Sequence, residues 1–264
     1  MSTAEPVEQH LAGGVNQVTR IGATVHRPAG PWTPAVQALL RHVSERGFSG
    51  APRPLGIDEQ GREVVQFLEG EVTDYPLAGF ATTDETIVGV GKLLRAFHDA
   101  TLGFASTADH HWYFEPTEPA EVVCHGDVAP YNVVYRDGRP AALIDFDTAH
   151  PGPRISDVAY CAYRFIPLSS ESNADFHLPV DQQSRRLRIL ADAYGLDESS
   201  RRVLPDAAIS RLHHLVQHMR DQAARGNEAF ASHLAEGHDR IYLTDAAHIE
   251  RHRSELIAAL VSPA

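Results

Sequence analysis

Two short acidic segments hold the residues of this sequence that are best suited to chemistry. The first, His125-Gly-Asp-Val-Ala-Pro-Tyr-Asn132, is a tight polar loop between apolar runs, and the second places Asp145 at the end of another apolar run. Between them, Arg136-Asp-Gly-Arg139 is typical of a hairpin turn. Because a hairpin would bring both segments to one edge of a sheet, we expect Asp127, Asn132 and Asp145 to converge.

These three residue types match the needs of phosphoryl transfer. Mg²⁺ prefers hard oxygen ligands, such as the carboxylate of Asp145 and the amide oxygen of Asn132. The reaction also needs a carboxylate that orients the attacking hydroxyl and accepts its proton, a role suited to Asp127. Each residue alone would more simply cap a turn or a strand end. The complete ordered set favours a phosphotransferase.

The same segments carry a family resemblance. Residues 125–132 resemble the HGDxxxxN catalytic loop of aminoglycoside phosphotransferases and choline-kinase-like enzymes. Ile144-Asp-Phe-Asp147 is similar to the metal-binding segment that follows this loop, and residues 153–159 are similar to the segment that closes it. The resemblance implies a protein-kinase-like fold of two lobes, with ATP or GTP as phosphate donor and Mg²⁺ as cofactor.

The resemblance also implies a role for each acidic position. It makes Asp127 the catalytic base and makes Asn132 and Asp145 the metal ligands. Asp157 would support the catalytic loop structurally, and Asp147 would be a supporting carboxylate behind the metal ligands.

In the N-terminal part, the resemblance points to residues that would hold the phosphates. Gly13, Gly14 and Asn16 fall where the family has its nucleotide-covering loop, and glycines let a backbone approach phosphates closely. Arg27 stands in the place of the usual phosphate-binding lysine. An arginine is permanently charged and can hold phosphate with two N–H groups, so we expect it to serve there.

Two further nucleotide contacts follow from the same comparison. The glutamate that should pair with the phosphate-binding cation is not evident, since Gln37 lies near its expected place and Glu45 lies at the helix end. The strand and hinge that would receive the adenine correspond to Gln66, Phe67 and Leu68. Backbone groups would make those contacts, so a plain buried strand describes the same residues equally well.

Hydrophobic patterning divides the chain into two parts. The first 70 residues are predicted to be rich in strands, and the remainder is mainly helical. We therefore predict an α+β fold with an N-terminal nucleotide-binding lobe, residues 1–70, and a C-terminal catalytic and acceptor-binding lobe, residues 71–264. The predicted helices cover residues 35–45, 83–100, 182–193, 206–225 and 248–261, and the predicted strands include 51–56 and 63–68.

The composition of the chain limits the classes of partner that the protein could bind. The 264 residues include 35 acidic and 23 basic side chains, a net charge of −12, which disfavours a nucleic-acid partner. No apolar window is long enough to span a bilayer, and the N-terminus lacks the layout of a signal peptide. The two cysteines have no metal-binding spacing. We expect a cytoplasmic protein that uses neither membrane nor nucleic acid.

The expected activity is transfer of a γ-phosphate to a hydroxyl of a small molecule, such as an aminoglycoside-like antibiotic or a related metabolite. The sequence leaves two alternatives open. One is a choline, sugar or amino-alcohol kinase, and the other is a catalytically weak nucleotide-binding protein. An acceptor would bind at the C-terminal helices, where acidic residues are interleaved with arginines. These mixed charges do not decide between the candidate acceptors. The residues are Asp221, Glu228, Glu236 and Asp239 with Arg220, Arg225 and Arg240.

Overall fold

A computed structural model describes residues 8–11, 18–104, 110–173 and 177–262. In these ranges the architecture is the predicted one, with a strand-rich N-terminal part and a mainly helical C-terminal part. None of the helices found there has both the length and the apolarity that a membrane crossing requires. The division at residue 70 stays a prediction.

The N-terminal part is an antiparallel sheet of five strands beside one helix. The sheet order is β1-β2-β3-β5-β4, and α1 follows β3 in the chain. The elements are β1 (Glu8–Leu11), β2 (Val18–Ile21), β3 (Thr24–Pro28), α1 (Thr33–Glu45), β4 (Pro54–Ile57) and β5 (Arg62–Gln66). In this order β3 and β5 are neighbours, and their paired residues Arg27 and Glu63 are both buried.

Local sequence explains these elements. Helix α1 buries Val36, Leu39, Leu40 and Val43 on one face, the apolar spacing that predicted it, and it begins two residues earlier than expected. The turn between β4 and β5 is the predicted hairpin, in which the Gly61 N–H donates to the carbonyl of Asp58 at 3.0 Å.

A close backbone contact joins the two parts of the chain. Glu71 and Tyr135 exchange two backbone hydrogen bonds of 2.8 and 2.7 Å. Beside this bridge Gly70 has a φ of +150°, and a Cβ atom there would lie 2.5 Å from the carbonyl oxygen of Tyr135. Gly70 is therefore required for the connector to approach the strand that contains Tyr135.

The C-terminal part consists of long helices around small two-stranded sheets. Strand β6 pairs with β9, and β7 pairs with β8 as the predicted hairpin. Short 3-10 turns cover Gly79–Thr82 and Pro130–Asn132. The remaining elements are α2 (Asp84–Ala100), β6 (Val122–Cys124), β7 (Val133–Arg136), β8 (Arg139–Leu143), β9 (His150–Gly152), α3 (Arg154–Phe165), α4 (Val180–Tyr194), α5 (Glu198–Ala224), α6 (Glu228–Ala235) and α7 (His238–Val261).

Helices α5 and α7 begin well before the positions that the sequence predicted. Helix α5 begins at Glu198 rather than 206, because Pro205 lies inside it instead of ending it. Its true start is marked by Asp197, whose carboxylate accepts the Ser200 N–H at 2.7 Å. Helix α7 begins at His238 rather than 248. Helix α2 matches its prediction, and Thr83 caps it by accepting the Thr86 N–H.

Candidate active site

Asp157 anchors the loop that precedes Asp127. Its Oδ2 atom accepts the backbone N–H of His125 at 2.5 Å and the ring Nε2 of His98 at 3.1 Å, and its Oδ1 atom accepts the Gly126 N–H at 2.8 Å. Burial alone would raise the pKa of this carboxyl. The hydrogen bonds from His98 and the loop nevertheless hold its pKa at about 2. The loop is thus fixed by a buried carboxylate.

His125 and Gly126 tie this loop to the second acidic segment. The His125 Nε2 atom lies 3.0 Å from the Ile144 carbonyl, and the Nδ1 atom accepts the Asp127 N–H at 3.3 Å. Gly126 has a φ of +86°, and a Cβ atom there would lie 2.5 Å from the carbonyl oxygen of Thr148. Both residues are therefore structural, and they bring Asp127 and Asp145 to one edge.

The Asp127 carboxylate is held on both oxygens. The Asn132 side-chain nitrogen donates to Oδ2 at 2.8 Å and to the Asp127 carbonyl at 2.9 Å, and the Tyr131 hydroxyl donates to Oδ1 at 3.2 Å. Asp127 is half-buried. Because the Asn132 nitrogen faces Asp127, its amide oxygen points elsewhere and makes no hydrogen bond with a described residue.

Asp145 lies beside this pair with its side chain half exposed. The Ile144 N–H donates to the Asn132 carbonyl at 3.0 Å, which joins the two acidic segments. Asp145 has a φ of +63°, a left-handed conformation that is uncommon for a residue with a side chain. Such conformations cluster at functional sites, where the surrounding structure fixes them.

Arg27 reaches into the same cleft and contacts three carboxylates. Its Nε atom lies 2.6 Å from Glu63 Oε2, its Nη1 atom 2.7 Å from Asp145 Oδ1, and its Nη2 atom 2.8 Å from Asp147 Oδ1. The residue is only 8% exposed. Arg27 thus bridges the N-terminal sheet and the acidic segment that lies 118 residues further along the chain.

The sequence did not identify Glu63 as the partner of Arg27. The two residues are directly opposite in the β3–β5 register, and Glu63 is fully buried. Gln37, near the position expected for the glutamate, donates to Glu63 Oε1 at 2.8 Å, so the helix supports the glutamate instead of supplying it. One signal was present, since a charged residue in an otherwise apolar buried strand requires a partner.

The cluster changes the acidity of Asp147. Burial raises the pKa of its carboxyl to about 6, and the negative charges of Asp145 and Glu63 add to this rise, while Arg27 opposes it. The pKa of Arg27 is raised by its three carboxylates even though burial alone would lower it. The guanidinium therefore stays charged at every working pH.

The three candidate adenine-binding residues, Gln66, Phe67 and Leu68, differ in whether the backbone N–H group is already hydrogen-bonded. The Gln66 N–H donates to the Arg53 carbonyl at 2.9 Å, and the Phe67 N–H donates to the Ala23 carbonyl at 2.8 Å. The Leu68 N–H makes no hydrogen bond with a described residue. Leu68 is therefore the best placed of the three to contact a base through its N–H group.

Gly13, Gly14 and Asn16, the predicted phosphate-covering loop, lie outside the described residues.

The donor atoms at the cleft suit a hard divalent cation. A carboxylate on Asp145 and an amide oxygen on Asn132 match the ligands that Mg²⁺ prefers. A second group with ligand-like spacing, His98, Cys124 and Asp157, is fully buried. Both ring nitrogens of His98 are already hydrogen-bonded, to Asp157 and to the Tyr194 hydroxyl at 2.7 Å. This group is structural.

Comparisons with known proteins agree with this geometry. The model of a family described as "Phosphotransferase enzyme family" matches residues 107–204. The trifolitoxin immunity protein of Rhizobium leguminosarum bv. trifolii is 34% identical over 206 residues, which cover 75% of this chain and 77% of that protein.

Solved structures share the fold at low sequence identity. A choline/ethanolamine kinase family protein from Mesorhizobium loti superposes with a TM-score of 0.65 at 18% identity, over 96% of this chain and 92% of that one. An amicoumacin kinase, solved with AMP-PNP, Ca²⁺ and its ligand, gives 0.63 at 12% identity, over 95% and 87%. By its sequence relatives and its protein-kinase-like fold, the chain belongs to the phosphotransferase enzyme family.

Proposed function

We propose that this chain transfers the γ-phosphoryl group of ATP or GTP to a hydroxyl of a small molecule. One observation supports this above the others. A half-buried carboxylate, an amide oxygen, an exposed carboxylate and a buried guanidinium converge on one cleft from separate segments: Asp127, Asn132, Asp145 and Arg27. A phosphotransferase needs a base, a metal site and a phosphate-binding cation, and this set supplies all three.

Asp127 is the proposed catalytic base. Tyr131 and Asn132 each donate to one of its oxygens, so the carboxylate is oriented before an acceptor arrives. It would accept the proton of the attacking hydroxyl. Asn132 and Asp145 would hold Mg²⁺, which when bound neutralises charge on the triphosphate.

Arg27 is proposed to hold the phosphates. Glu63 binds its Nε atom, which leaves the two Nη atoms directed at Asp145 and Asp147. A guanidinium fixed in this way presents a planar pair of donors, the arrangement that suits phosphate oxygens. The Arg27–Glu63 pair would then do the work of the lysine–glutamate pair of protein kinases, with the glutamate supplied by a strand.

The rest of the nucleotide site is proposed from the family resemblance. Gly13, Gly14 and Asn16 would cover the phosphates, and backbone groups at residues 66–68 would contact the base. Residues 1–70 would act as the nucleotide-binding lobe, and residues 71–264 as the lobe that carries the base and the acceptor.

The acceptor class has three candidates. The name of the immunity protein supports an antibiotic or toxin as acceptor. A choline, sugar or amino-alcohol kinase is the second candidate. The third, a nucleotide-binding protein with little turnover, is disfavoured by the oriented carboxylate of Asp127, because a protein that only binds nucleotide needs no base.

The deciding experiment measures acceptor-dependent ADP release with ATP and Mg²⁺, over aminoglycosides, other antibiotics, choline and amino sugars. At least one compound should stimulate release. Asp127→Asn should lower kcat by about 10²- to 10⁴-fold and leave nucleotide affinity unchanged. Asp137→Asn is the matched control, since Asp137 is an exposed carboxylate in the neighbouring hairpin turn, where its φ of +50° suits asparagine.

Turnover by Asp127→Asn within a few-fold of the unmodified protein would reject Asp127 as the base. Nucleotide binding without ADP release for any compound would instead support the third candidate.

A further inference from the structure

Arg164 is a cation that no carboxylate balances within the described part of the chain. It lies in the last turn of α3, and its Nε atom is buried without a hydrogen-bond partner. Its guanidinium carbon lies 4.9 Å from the ring centre of Tyr75, 5.4 Å from that of Tyr131 and 5.8 Å from that of Tyr163. The rings stabilise the charge by cation–π interaction, but they offer its buried Nε–H group no hydrogen-bond acceptor.

This arrangement differs from that of Arg154 and Arg201, two other partly buried arginines. Arg154 pairs with Glu121, and Arg201 pairs with Asp192 at 2.6 Å. Asp245 contacts the hydroxyl of Tyr163 at 2.8 Å, yet it forms no ion pair with Arg164. Because withdrawing a charge from water is costly unless it is paired, the unpaired guanidinium indicates that an anion binds there.

Helical spacing carries Arg164 to the acceptor side of Asp127. Asp157, Tyr160 and Arg164 follow one another at positions i, i+3 and i+7 of α3, which places them along one face. Asp157 holds the catalytic loop, and Tyr131 of that loop joins Asp127 through its hydroxyl and Arg164 through its ring. One tyrosine ring therefore separates the guanidinium from the proposed base, and Tyr131 and Arg164 both keep some exposed surface.

A second guanidinium approaches the same loop. The Nη2 atom of Arg211 donates to the Gly126 carbonyl at 2.8 Å, and the Arg211 guanidinium lies 4.3 Å from the Tyr160 ring centre. A polycationic acceptor would be repelled by both arginines. Asp239, an acidic side chain on helix α7, already pairs with Arg220 at 2.7 Å.

We propose that Arg164 binds a carboxylate of the acceptor, and that the acceptor is therefore a hydroxy acid and not a polycation. The inference rests on the proposed function in treating this ligand as the phosphate acceptor. A planar guanidinium can donate two parallel hydrogen bonds to a carboxylate. The tyrosine rings would pack against the part of the molecule between the carboxylate and the hydroxyl, whose proton goes to Asp127.

The test compares three probes that share a benzyl alcohol frame. They are para-(hydroxymethyl)benzoate, its primary amide, and para-(aminomethyl)benzyl alcohol, and their affinities for the full chain are measured by calorimetry. The benzoate should bind at least about ten-fold more tightly than the amide, because a charge-assisted contact is lost with the amide. The ammonium probe should bind most weakly.

Variants assign the preference to Arg164. Arg164→Gln should reduce the benzoate-to-amide preference to about one-fold, and Arg164→Lys should leave an intermediate preference because it keeps the charge without the planar pair of donors. Arg202→Gln, an exposed arginine of α5 that pairs with Glu198, should keep the full preference. If Arg164→Gln fails to fold, the lysine variant and the unmodified protein still carry the test.

Equal affinities for the three probes, including no binding by any of them, would overturn the proposal, as would an unchanged preference in a folded Arg164→Gln variant. Binding of the benzoate through Arg164 without phosphoryl transfer to any compound would refute the proposed function alone. Phosphoryl transfer to an amino alcohol without an Arg164 effect would refute this inference alone.

Discussion

Arg27 lies beside the second acidic segment and Arg164 lies beside loop 125–132, in opposite electrostatic surroundings. Arg27 contacts three carboxylates, and Arg164 contacts three tyrosine rings and no carboxylate within the described chain. Three carboxylates exceed the charge of one guanidinium, so the Arg27 side attracts a cation such as a nucleotide-bound metal. The Arg164 side has an excess of positive charge and attracts an anion. We call the Arg27 side the donor side, where the nucleotide is proposed to bind, and the Arg164 side the acceptor side.

The largest expected effect comes from removing the buried carboxylate that defines the Arg27 side. Glu63→Ala leaves the Arg27 Nε atom without its acceptor and leaves Gln37 Nε2 with only the Val64 carbonyl, at 3.4 Å. Breaking a buried pair costs about 3–5 kcal/mol when the other charge is left uncompensated. Because Arg27 keeps Asp145 and Asp147, the free energy of unfolding should fall by an amount at the lower end of this range, about 3 kcal/mol, in urea titrations. The control is Glu69→Ala, which breaks the exposed pair with Arg20 and should cost at most about 1 kcal/mol. Equal losses in the two variants would show that Glu63 is not the buried support inferred from its contacts.

The second prediction concerns the metal that the donor side should attract. Asp145→Ala removes a charged Mg²⁺ ligand, and ATP affinity in the presence of Mg²⁺ should fall by at least about a hundred-fold, since even indirect partners of metal ligands contribute 10–100-fold. Calorimetry with and without Mg²⁺ measures this, with Asp137→Asn as control. An unchanged Mg²⁺ dependence would move the metal role to Asp147.

The third prediction sharpens the comparison at Arg27 itself. Arg27→Ala should raise the KM for ATP by a factor equivalent to roughly 1.5–3 kcal/mol, the range for a charge-assisted contact. Arg27→Lys should recover only part of the loss, because Nε, Nη1 and Nη2 each contact a different carboxylate and one ammonium cannot replace all three. Steady-state kinetics over a range of ATP concentrations separates the two variants. Full recovery by lysine would mean that only a point charge is needed.

The sequence predicted the arrangement of loop 125–132 better than it predicted the surroundings of Arg27, for a physical reason. Asp127 and Asn132 lie five residues apart in one loop, and the hairpin that joins this loop to Asp145 has a recognisable turn sequence. The Arg27–Glu63 pair instead depends on the register of β3 against β5, which no local pattern specifies. Gln37 was noted at the expected position, but the carboxylate it supports belongs to another element.

The surroundings of Arg164 could not be predicted from the sequence either, because they are formed by residues that lie far apart in the chain. Its helical spacing from Asp157 and Tyr160 can be counted in the sequence, but the absence of a carboxylate partner appears only when the connector residue Tyr75 and the loop residue Tyr131 close around it.

The smallest predicted effect tests the loop support that both sides of the cleft share. The folded-state pKa of Asp157 is about 2, below the ordinary value of 3.8 that applies in the unfolded chain. Its contribution to stability is therefore fully present above about pH 5, and it is lost as the pH falls through the folded-state value. The difference corresponds to about 2 kcal/mol.

Asp157→Asn cannot titrate, so the gap in unfolding free energy between the unmodified protein and this variant should narrow between pH 5 and pH 3 in urea titrations. Because all other carboxylates are shared, their titration cancels in the comparison. If this difference in unfolding free energy stayed constant from pH 5 to pH 3, Asp157 would hold the His125–Gly126 backbone without being ionised.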